Sequence, residues 1–349
     1  PRAMRLIDEG VVIAPMHLVR GGEARWEALR SVLLGARHPT RSIQDNLADL
    51  AAALAANHRG AQGLRLLARE IGAGVLAELM AALADRAAAA LGRALARLGR
   101  WDSAAEDRMD DGTRLAVRLG SDGRRLVVDF TGTATRHPGN LNATPAITRS
   151  ALLYALRLMV DEPLPLNEGL LQPVDLVIPE GLLSPAFPDD PADAPAVVGG
   201  NVETSQRLVN LLLRALGLCA ASQGTMNNLV FGDGERSYYE TIAGGVGAGP
   251  DFAGASAVHS HMTNTRITDA EIDERRYPVR LDRFAIRRGS GGAGRYAGGD
   301  GIVRSLRFLA PMELSLLTQH RTEGPAGMAG GGAGAPGRQW IQRADGSTV

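Results

Sequence analysis

Between Val198 and Arg266 the chain reads VGGNVETSQRLVNLLLRALG, then AASQGTMNNLVFG, YYETIAGGVGAG and ASAVHSHMTNTR. Within these four runs short amides, hydroxyls, two glutamates and two histidines alternate with glycine-rich turns. A buried polar group left without a partner costs about 1–3 kcal/mol, so a segment that only packed would not carry so many. Clustered glycines let the backbone turn sharply and come close to another group. Small polar groups held between such turns are the one-dimensional form of a ligand site, and any fold for this chain must accommodate them.

After Gly199 and Gly200, Asn201 is placed to cap a helix over VETSQRLVNLLLRALG, which Gly217 then stops. Glu203 falls in its first turn, where the helix dipole favours a carboxylate; the functional reading is a carboxylate that orients substrate or water. Gln206 and Arg207 lie one turn on. Ser222, Thr225, Asn227 and Asn228 are too dense for an ordinary turn. No GxSxG elbow surrounds Ser222 and no base stands beside it, so it reads as a hydrogen-bonding group rather than a nucleophile. SYYETI reads as a strand with Tyr239 and Thr241 on one face and Tyr238 and Glu240 on the other. GGVGAGPDFAG reads as a flexible glycine loop without the strand–GxGxxG–helix context of a dinucleotide site. On a strand, His259 and His261 would share one face, which suits metal ligation or an acid/base pair. No third ligand follows at fixed spacing, so no metal is assigned to them. Asn264 and Arg266 are candidate anchors for a carboxylate, which arginine grips with two parallel bonds. The competing reading of the whole stretch is a buried polar network that holds glycine loops together.

The remainder divides in two. Residues 22 to 100 carry helical spacing: one helix over GEARWEALRSVLLGA, a second from Ser42 to a glycine stop after His58, then AQGLRLLAREIG and the alanine-rich GVLAELMAALADRAAAALGRALARLG, all expected to pack antiparallel. From residue 101 the pattern turns to strands. TRLAVRL and RRLVVDF flank an SDG turn; AITRSALLYALRLM is a helix; VDLVIPE, FAIRRGSGG, GIVRSLRFL and MELSLL are short strands. The expected class is α+β: a helical region over 1–100, then a mixed, mostly antiparallel β-rich domain with glycine-rich loops over 101–349.

Composition excludes several functions. Net charge is zero and all 38 basic residues are arginine, which argues against a nucleic-acid partner or an anionic membrane surface. Without lysine there is no Walker-type phosphate loop and no Schiff base. Cys219, the only cysteine, lies in the apolar run LGLCAAS and reads as a small buried hydrophobe. No apolar run reaches the roughly 18 residues of a membrane span and no signal peptide is visible, so the expected location is the cytoplasm.

The runs NVETSQR, SQGTMNN, YYETI and HMTNTRITD, with DFTGT, SGGAGRYAGGDG and the glycine-rich close, resemble the hydantoinase B/oxoprolinase family from about Ile7 to Arg343. The resemblance implies ATP-coupled opening of a cyclic amide such as 5-oxoproline or a hydantoin. It implies a hydantoinase A-type, actin-like ATPase partner that binds ATP and phosphorylates the ring carbonyl in a hetero-oligomer, while this chain hydrolyses the activated ring. The family pattern begins upstream of MRLIDEGVVI, so the chain is expected to lack the family's N-terminal part, where relatives carry a divalent metal. In that setting His261 or Glu240 is the candidate proton carrier. Asn227, Asn264 and Arg266 are candidate donors and anchors, with Asn201, Glu203, Gln206, Ser222, Thr225 and His259 around the substrate. LTQHR departs from the family's LT.RR at Gln319 and His320, which leaves that pair without an implied role. The rival readings are a carboxylase subunit acting on a ketone, marked by bicarbonate dependence, and an inactive or scaffolding fragment.

Overall fold

The helical region folds as three helices rather than four. A computed structural model of the chain describes residues 2–349. After a 3-10 turn at Leu6–Asp8 and a minimal hairpin of β1 (Val19–Arg20) and β2 (Glu23–Ala24) come α1 (Trp26–Gly35), α2 (Ile43–Ile71) and α3 (Ala73–Leu98). The expected stop after His58 does not occur: His58 bonds Gln62 inside α2, and Gly60 and Gly63 lie within the helix. A helix-interior glycine costs only about 1 kcal/mol relative to alanine, too little to break a run so rich in alanine and leucine. The break falls at Gly72, whose φ of +90° suits glycine. Ser42 stands at the start of α2, but its hydroxyl makes no cap bond. Thr40 Oγ1 instead accepts the Ser42 N–H at 3.1 Å and donates to Asn46 Oδ1. α2 and the first half of α3 bury no residue; α3 enters the core through Ala87, Ala90, Leu91, Ala94 and Leu95.

That core is shared with a four-stranded sheet of β3 (Arg100–Arg108), β4 (Arg114–Asp122), β5 (Leu126–Asp129) and β6 (Val174–Val177). Its order is β3-β4-β5-β6, with β5 and β6 parallel and the other pairs antiparallel. The hairpin at SDG and the strand in VDLV stand where the alternation predicts them. β3 has no strand signal because WDSAAEDR is rich in residues that sheets disfavour, yet it pairs with β4 along its whole length. Between β5 and β6 runs α4 (Pro145–Met159), capped by Thr144, whose side chain accepts from the Ile147 N–H. α5 (Ser205–Ala215) packs against β3, β4 and α4.

A second core lies in the C-terminal half, where β7 (Asn228–Gly232), β8 (Ser237–Thr241) and β11 (Glu313–Leu317) form an antiparallel sheet of order β11-β7-β8. α6 (Ala270–Arg276) precedes the long hairpin of β9 (Val279–Arg287) and β10 (Gly301–Phe308). Few rings are available, and four meet here: Phe231 stacks on Tyr238, Tyr277 and Phe308 at centroid distances of 4.8, 5.7 and 5.3 Å. Beneath them Arg304 donates to Glu240 Oε2 at 2.9 Å and to Asp273 Oδ2 at 3.2 Å, while Tyr238 donates to Glu240 Oε2 at 2.7 Å. The Glu240 and Arg304 side chains are each 3% exposed.

The glycine-rich runs form no regular secondary structure, yet they are tied to one another. Segments around 243–257, 290–300 and 324–335 lie against one another as extended chains, joined by bonds such as Val246 N–H to Ala255 O at 2.9 Å, Gly299 N–H to Val246 O at 2.9 Å and Gly332 N–H to Ala293 O at 2.7 Å. A Cβ on Gly245 would run into the Gly299 carbonyl, and one on Gly299 into that of Ala255. Glycine serves here for close backbone approach.

Two stability outcomes follow. Gly60→Ala, with open space around its Cβ position, should stabilise the protein by up to about 1 kcal/mol in denaturant unfolding; a loss of stability would contradict an unbroken α2. Glu240→Ala leaves the buried Arg304 guanidinium with Asp273 as its remaining carboxylate partner and removes the acceptor of Tyr238; it should cost about 3 kcal/mol, read from the unfolding midpoint.

Candidate active site

α5 is buried along almost its whole length, yet one side of it and of the turn before it is polar. Glu203, Gln206, Arg207 and Asn210 follow one another at the i, i+3, i+4, i+7 spacing that places residues on one helix face, and each is at most 2% exposed. The first of them sits in a π-helical turn, Gly200–Thr204, that runs directly into α5. This turn displaces the expected cap: Asn201 is exposed and its side chain caps nothing. Wide π turns interrupt α-helices mostly at functional sites.

Three members of this stripe each bind a different distant segment. Gln206 Nε2 donates to Thr263 Oγ1 at 2.6 Å and to Ser260 O at 3.4 Å. Arg207 Nη1 donates to Asp107 Oδ1 at 3.0 Å, and its Nη2 lies 3.7 Å from Asp110 Oδ1. Asn210 pairs with the Ser222 backbone: Oδ1 accepts the N–H at 3.0 Å and Nδ2 donates to the carbonyl at 3.1 Å. The same Oδ1 lies 3.0 Å from His261 Nε2. Glu203 alone reaches no distant segment: neither carboxyl oxygen meets a partner in full hydrogen-bond geometry, and the donors nearest to it are the Thr225 hydroxyl and the Met226 N–H. Burial pushes its pKa up to about 8, against a lowering influence from the Thr225 hydroxyl and the charge of Arg207, so the carboxyl is largely neutral at pH 7.

Around this helix stand two loops. Thr225 Oγ1 accepts the N–H groups of Asn227 and Gln319 at 3.0 and 3.2 Å, tying 222–228 to 318–321. Asp110 receives the backbone N–H groups of His320 and Arg321 at 3.1 and 2.7 Å. Arg321 Nη2 donates to Asn227 Oδ1 at 2.8 Å, and its charge reaches Glu203. His320 Nδ1 lies 2.8 Å from the Glu323 carbonyl. A carbonyl only accepts, so Nδ1 carries the proton and Nε2 holds the lone pair. Burial first, then the Arg207 charge, lowers His320 to about 4. Gly224, at φ +63°, leaves room for it: a Cβ there would meet His320 Nε2 and Asn210 Nδ2, each at 2.8 Å. A cavity of about 1560 Å³ opens beside these loops, with Gln223, Thr225, Asn227, His320 and Arg321 in its wall; Glu203 and His261 are not among its lining residues.

The structure gathers some of the sequence-predicted residues and separates others. Glu203 and Gln206 lie on the π turn and α5 itself, and Ser222, Thr225, Asn227 and His261 lie on the loops beside them. Ser222 is committed to packing, since its Oγ accepts the Gly247 N–H at 3.0 Å and its backbone is held by Asn210. His259 and His261 do not share a strand face: the segment is a turn and His261 has φ +57°. Glu240 faces the other way from this cluster, within the ion network under the aromatic core, as strand alternation requires. Asn264 and Arg266 lie exposed on the loop after His261. Arg207, Asn210, His320 and Arg321 are absent from the predicted set. The first two had a signal in the polar stripe within VETSQRLVN; the last two fall in LTQHR, whose departure from the family pattern left them without an implied role. Among the described residues no group of three or more His, Cys, Asp or Glu is placed to hold a metal ion, and no helix is long and apolar enough to cross a membrane.

The orphaned carboxyl has a pH signature. The folded state keeps the Glu203 proton up to about pH 8, while the unfolded chain releases it near 4.5. This contribution is therefore present at low pH and is lost as pH rises towards about 8. The lowered histidines act with the opposite sign; half of their effect is in place at the ordinary histidine value of 6.5 and nearly all of it by about pH 7.5. Unfolding midpoints measured from about pH 7.5 to about pH 9 should thus fall for the wild type and fall much less for Glu203→Gln. Equal slopes would mean that Glu203 is already charged.

The family model described as Hydantoinase B/oxoprolinase matches residues 1–348. A 5-oxoprolinase of Dictyostelium discoideum is 43% identical over 341 residues, covering 95% of this chain and 26% of that protein. The chain thus spans about a quarter of the length of that relative. Among solved structures, the ATP-dependent caprolactamase of Pseudomonas jessenii superposes with a TM-score of 0.76 at 21% identity, over 88% of this chain and 55% of the other. A nucleotide-free acetone carboxylase superposes at 0.81 and 15% identity, over 96% and 48%. At these identities the two structures share the fold. The sequence match over the whole chain goes further, and the protein belongs to the hydantoinase B/oxoprolinase family.

Proposed function

We propose that this chain is the hydrolytic part of an ATP-dependent enzyme that opens a cyclic amide, 5-oxoproline in the first instance. The observation that carries the reading is the 43% identity to a 5-oxoprolinase across 95% of the chain, joined to a buried polar helix face with an unpartnered neutral carboxyl. A lactam carbonyl is a poor electrophile. Phosphorylation of its oxygen by a hydantoinase A-type ATPase, acting as a separate subunit in a cytoplasmic hetero-oligomer or as a fused half, makes the ring carbon attackable. Water then adds to that carbon and gives up a proton, the ring nitrogen takes a proton as the C–N bond breaks, and the acyl phosphate so formed is cleaved by a second water to the carboxylate and inorganic phosphate.

Each step needs a group of a particular kind. His261, which burial holds at about 4 and therefore neutral, takes the proton of the attacking water. Glu203 in its neutral form offers a proton or hydrogen bond towards the ring nitrogen. Asn227 and Arg321, already joined at 2.8 Å, provide donors for the oxyanion that develops in the tetrahedral species. Asn264 and Arg266, exposed on the His261 loop, take the substrate carboxylate, with Asn201, Gln206, Thr225 and His259 around it. Glu240 is replaced as proton carrier because its carboxylate is engaged by Arg304 and Tyr238.

The test is glutamate release from 5-oxoproline by the full-length protein with its ATPase partner, with and without ATP. Glutamate formed only with ATP supports the reading; its absence under both conditions rejects 5-oxoproline as substrate. In an active preparation His261→Ala should lower kcat by about 10²-fold or more. A variant within a few-fold of wild type would remove His261 from proton transfer.

A further inference from the structure

Which of its two ring nitrogens a histidine protonates is decided by its partner, and at His261 the partner is unambiguous. Asn210 is 1% exposed on α5. Its amide is held at both ends by one residue, Oδ1 receiving the Ser222 N–H and Nδ2 donating to the Ser222 carbonyl. Turning the amide over would set oxygen against oxygen and N–H against N–H, so its orientation follows from the backbone it binds. Oδ1 therefore faces His261 Nε2 at 3.0 Å, and an amide oxygen only accepts.

We propose that Asn210 is a positioning residue that holds His261 as its Nε2–H tautomer, leaving Nδ1 as the ring nitrogen able to accept a proton. Three further contacts keep the ring in place. Tyr154 meets it edge-on, with centroids 5.8 Å apart and planes at 73°. Gln206, one turn before Asn210 on the same helix, grips Thr263 and the Ser260 carbonyl on either side of the histidine. The left-handed backbone at His261, φ +57°, turns the chain back towards α5. Nδ1 has no hydrogen-bond partner among the described residues. Burial alone, with no charged neighbour among the causes, keeps the ring neutral. One buried amide thus orders the 222 loop and sets the chemistry of the 261 loop together. His320 is held in the opposite sense, Nδ1–H, by the Glu323 carbonyl, so the two imidazoles beside Asn210 expose different nitrogens.

The inference rests on the ring-opening reading only for what the base then does; the tautomer stands or falls by itself. The decisive measurement is ¹⁵N NMR of the chain labelled at histidine, with the His261 ring assigned by its disappearance in His261→Gln. Between about pH 6 and about pH 8 the Nε2 resonance should report a protonated nitrogen and Nδ1 an unprotonated one. A protonated Nδ1, or a charged ring near pH 7, overturns the proposal. Asn210→Ala removes the acceptor that faces His261 Nε2. It should release the ring to a mixture of tautomers, drawing the Nε2 and Nδ1 resonances towards each other; resonances unchanged from wild type would show that residue 210 does not set the tautomer. If Asn210→Ala fails to fold, the wild-type spectrum alone decides. A wild-type Nε2–H ring in an enzyme that opens no cyclic amide would confirm the role of Asn210 and reject the ring-opening function.

Discussion

A helix buried on every side cannot carry a polar face unless the rest of the protein is built to meet it. α5 carries Glu203, Gln206, Arg207 and Asn210 into an interior where an unmet polar atom costs about 1–3 kcal/mol. Each of the last three is answered by a different part of the chain: the 260–263 loop, the end of β3 and the 222 backbone. These answers place the loops. The aliphatic side of the same helix, with Leu208, Val209, Leu211, Leu212 and Leu213 buried, joins the core of the four-stranded sheet. The helix therefore links core and candidate site, and a change at Asn210 or Arg207 acts on both.

The exception in that stripe points to chemistry. Glu203 is fully buried and unanswered, in a π turn, with Arg207 and Arg321 near enough to act on its charge. A protein that needed only packing would place a leucine there, as replacing a buried ionisable group by an apolar one commonly stabilises. Glu240 shows the contrast. It is equally buried, but bonds to Arg304 and Tyr238 satisfy it, and it serves the second core. Two buried glutamates in one chain thus have opposite characters, one satisfied and one available.

Glycine has a structural role at the C-terminal end that its usual reputation hides. Where aromatic residues are scarce and side chains are absent, backbones pack on backbones. The carbonyls of Val246, Ala255 and Ala293 bond neighbouring extended segments at 2.7–2.9 Å. The wall so formed borders the cavity beside His320 and Arg321, and at Gly245, Gly254 and Gly299 a Cβ would run into a neighbouring backbone carbonyl. A sequence scan reads such runs as loops, because glycine carries no periodic side-chain pattern to read.

Periodic features were legible from the sequence: α4, α5, the β4–β5 hairpin, β6 and the strands after residue 277, since each buries one face and its apolar spacing records that face. The polar motifs that identify the family were legible too, and with them Glu203, Gln206, Thr225, Asn227 and His261. β3 was hidden because its partner strand, rather than its own propensity, makes it a strand. Gly60 misled because the energy of one glycine is small beside the helix around it. The roles of His320 and Arg321 arise from loops about 100 residues distant in sequence, through Thr225 and Asp110. The same holds for the parting of Glu240 from His261. Local spacing determines which residues share a face; which faces meet, and which nitrogen of His261 keeps its lone pair, is decided by hydrogen-bond complementarity between segments that only the folded chain brings together.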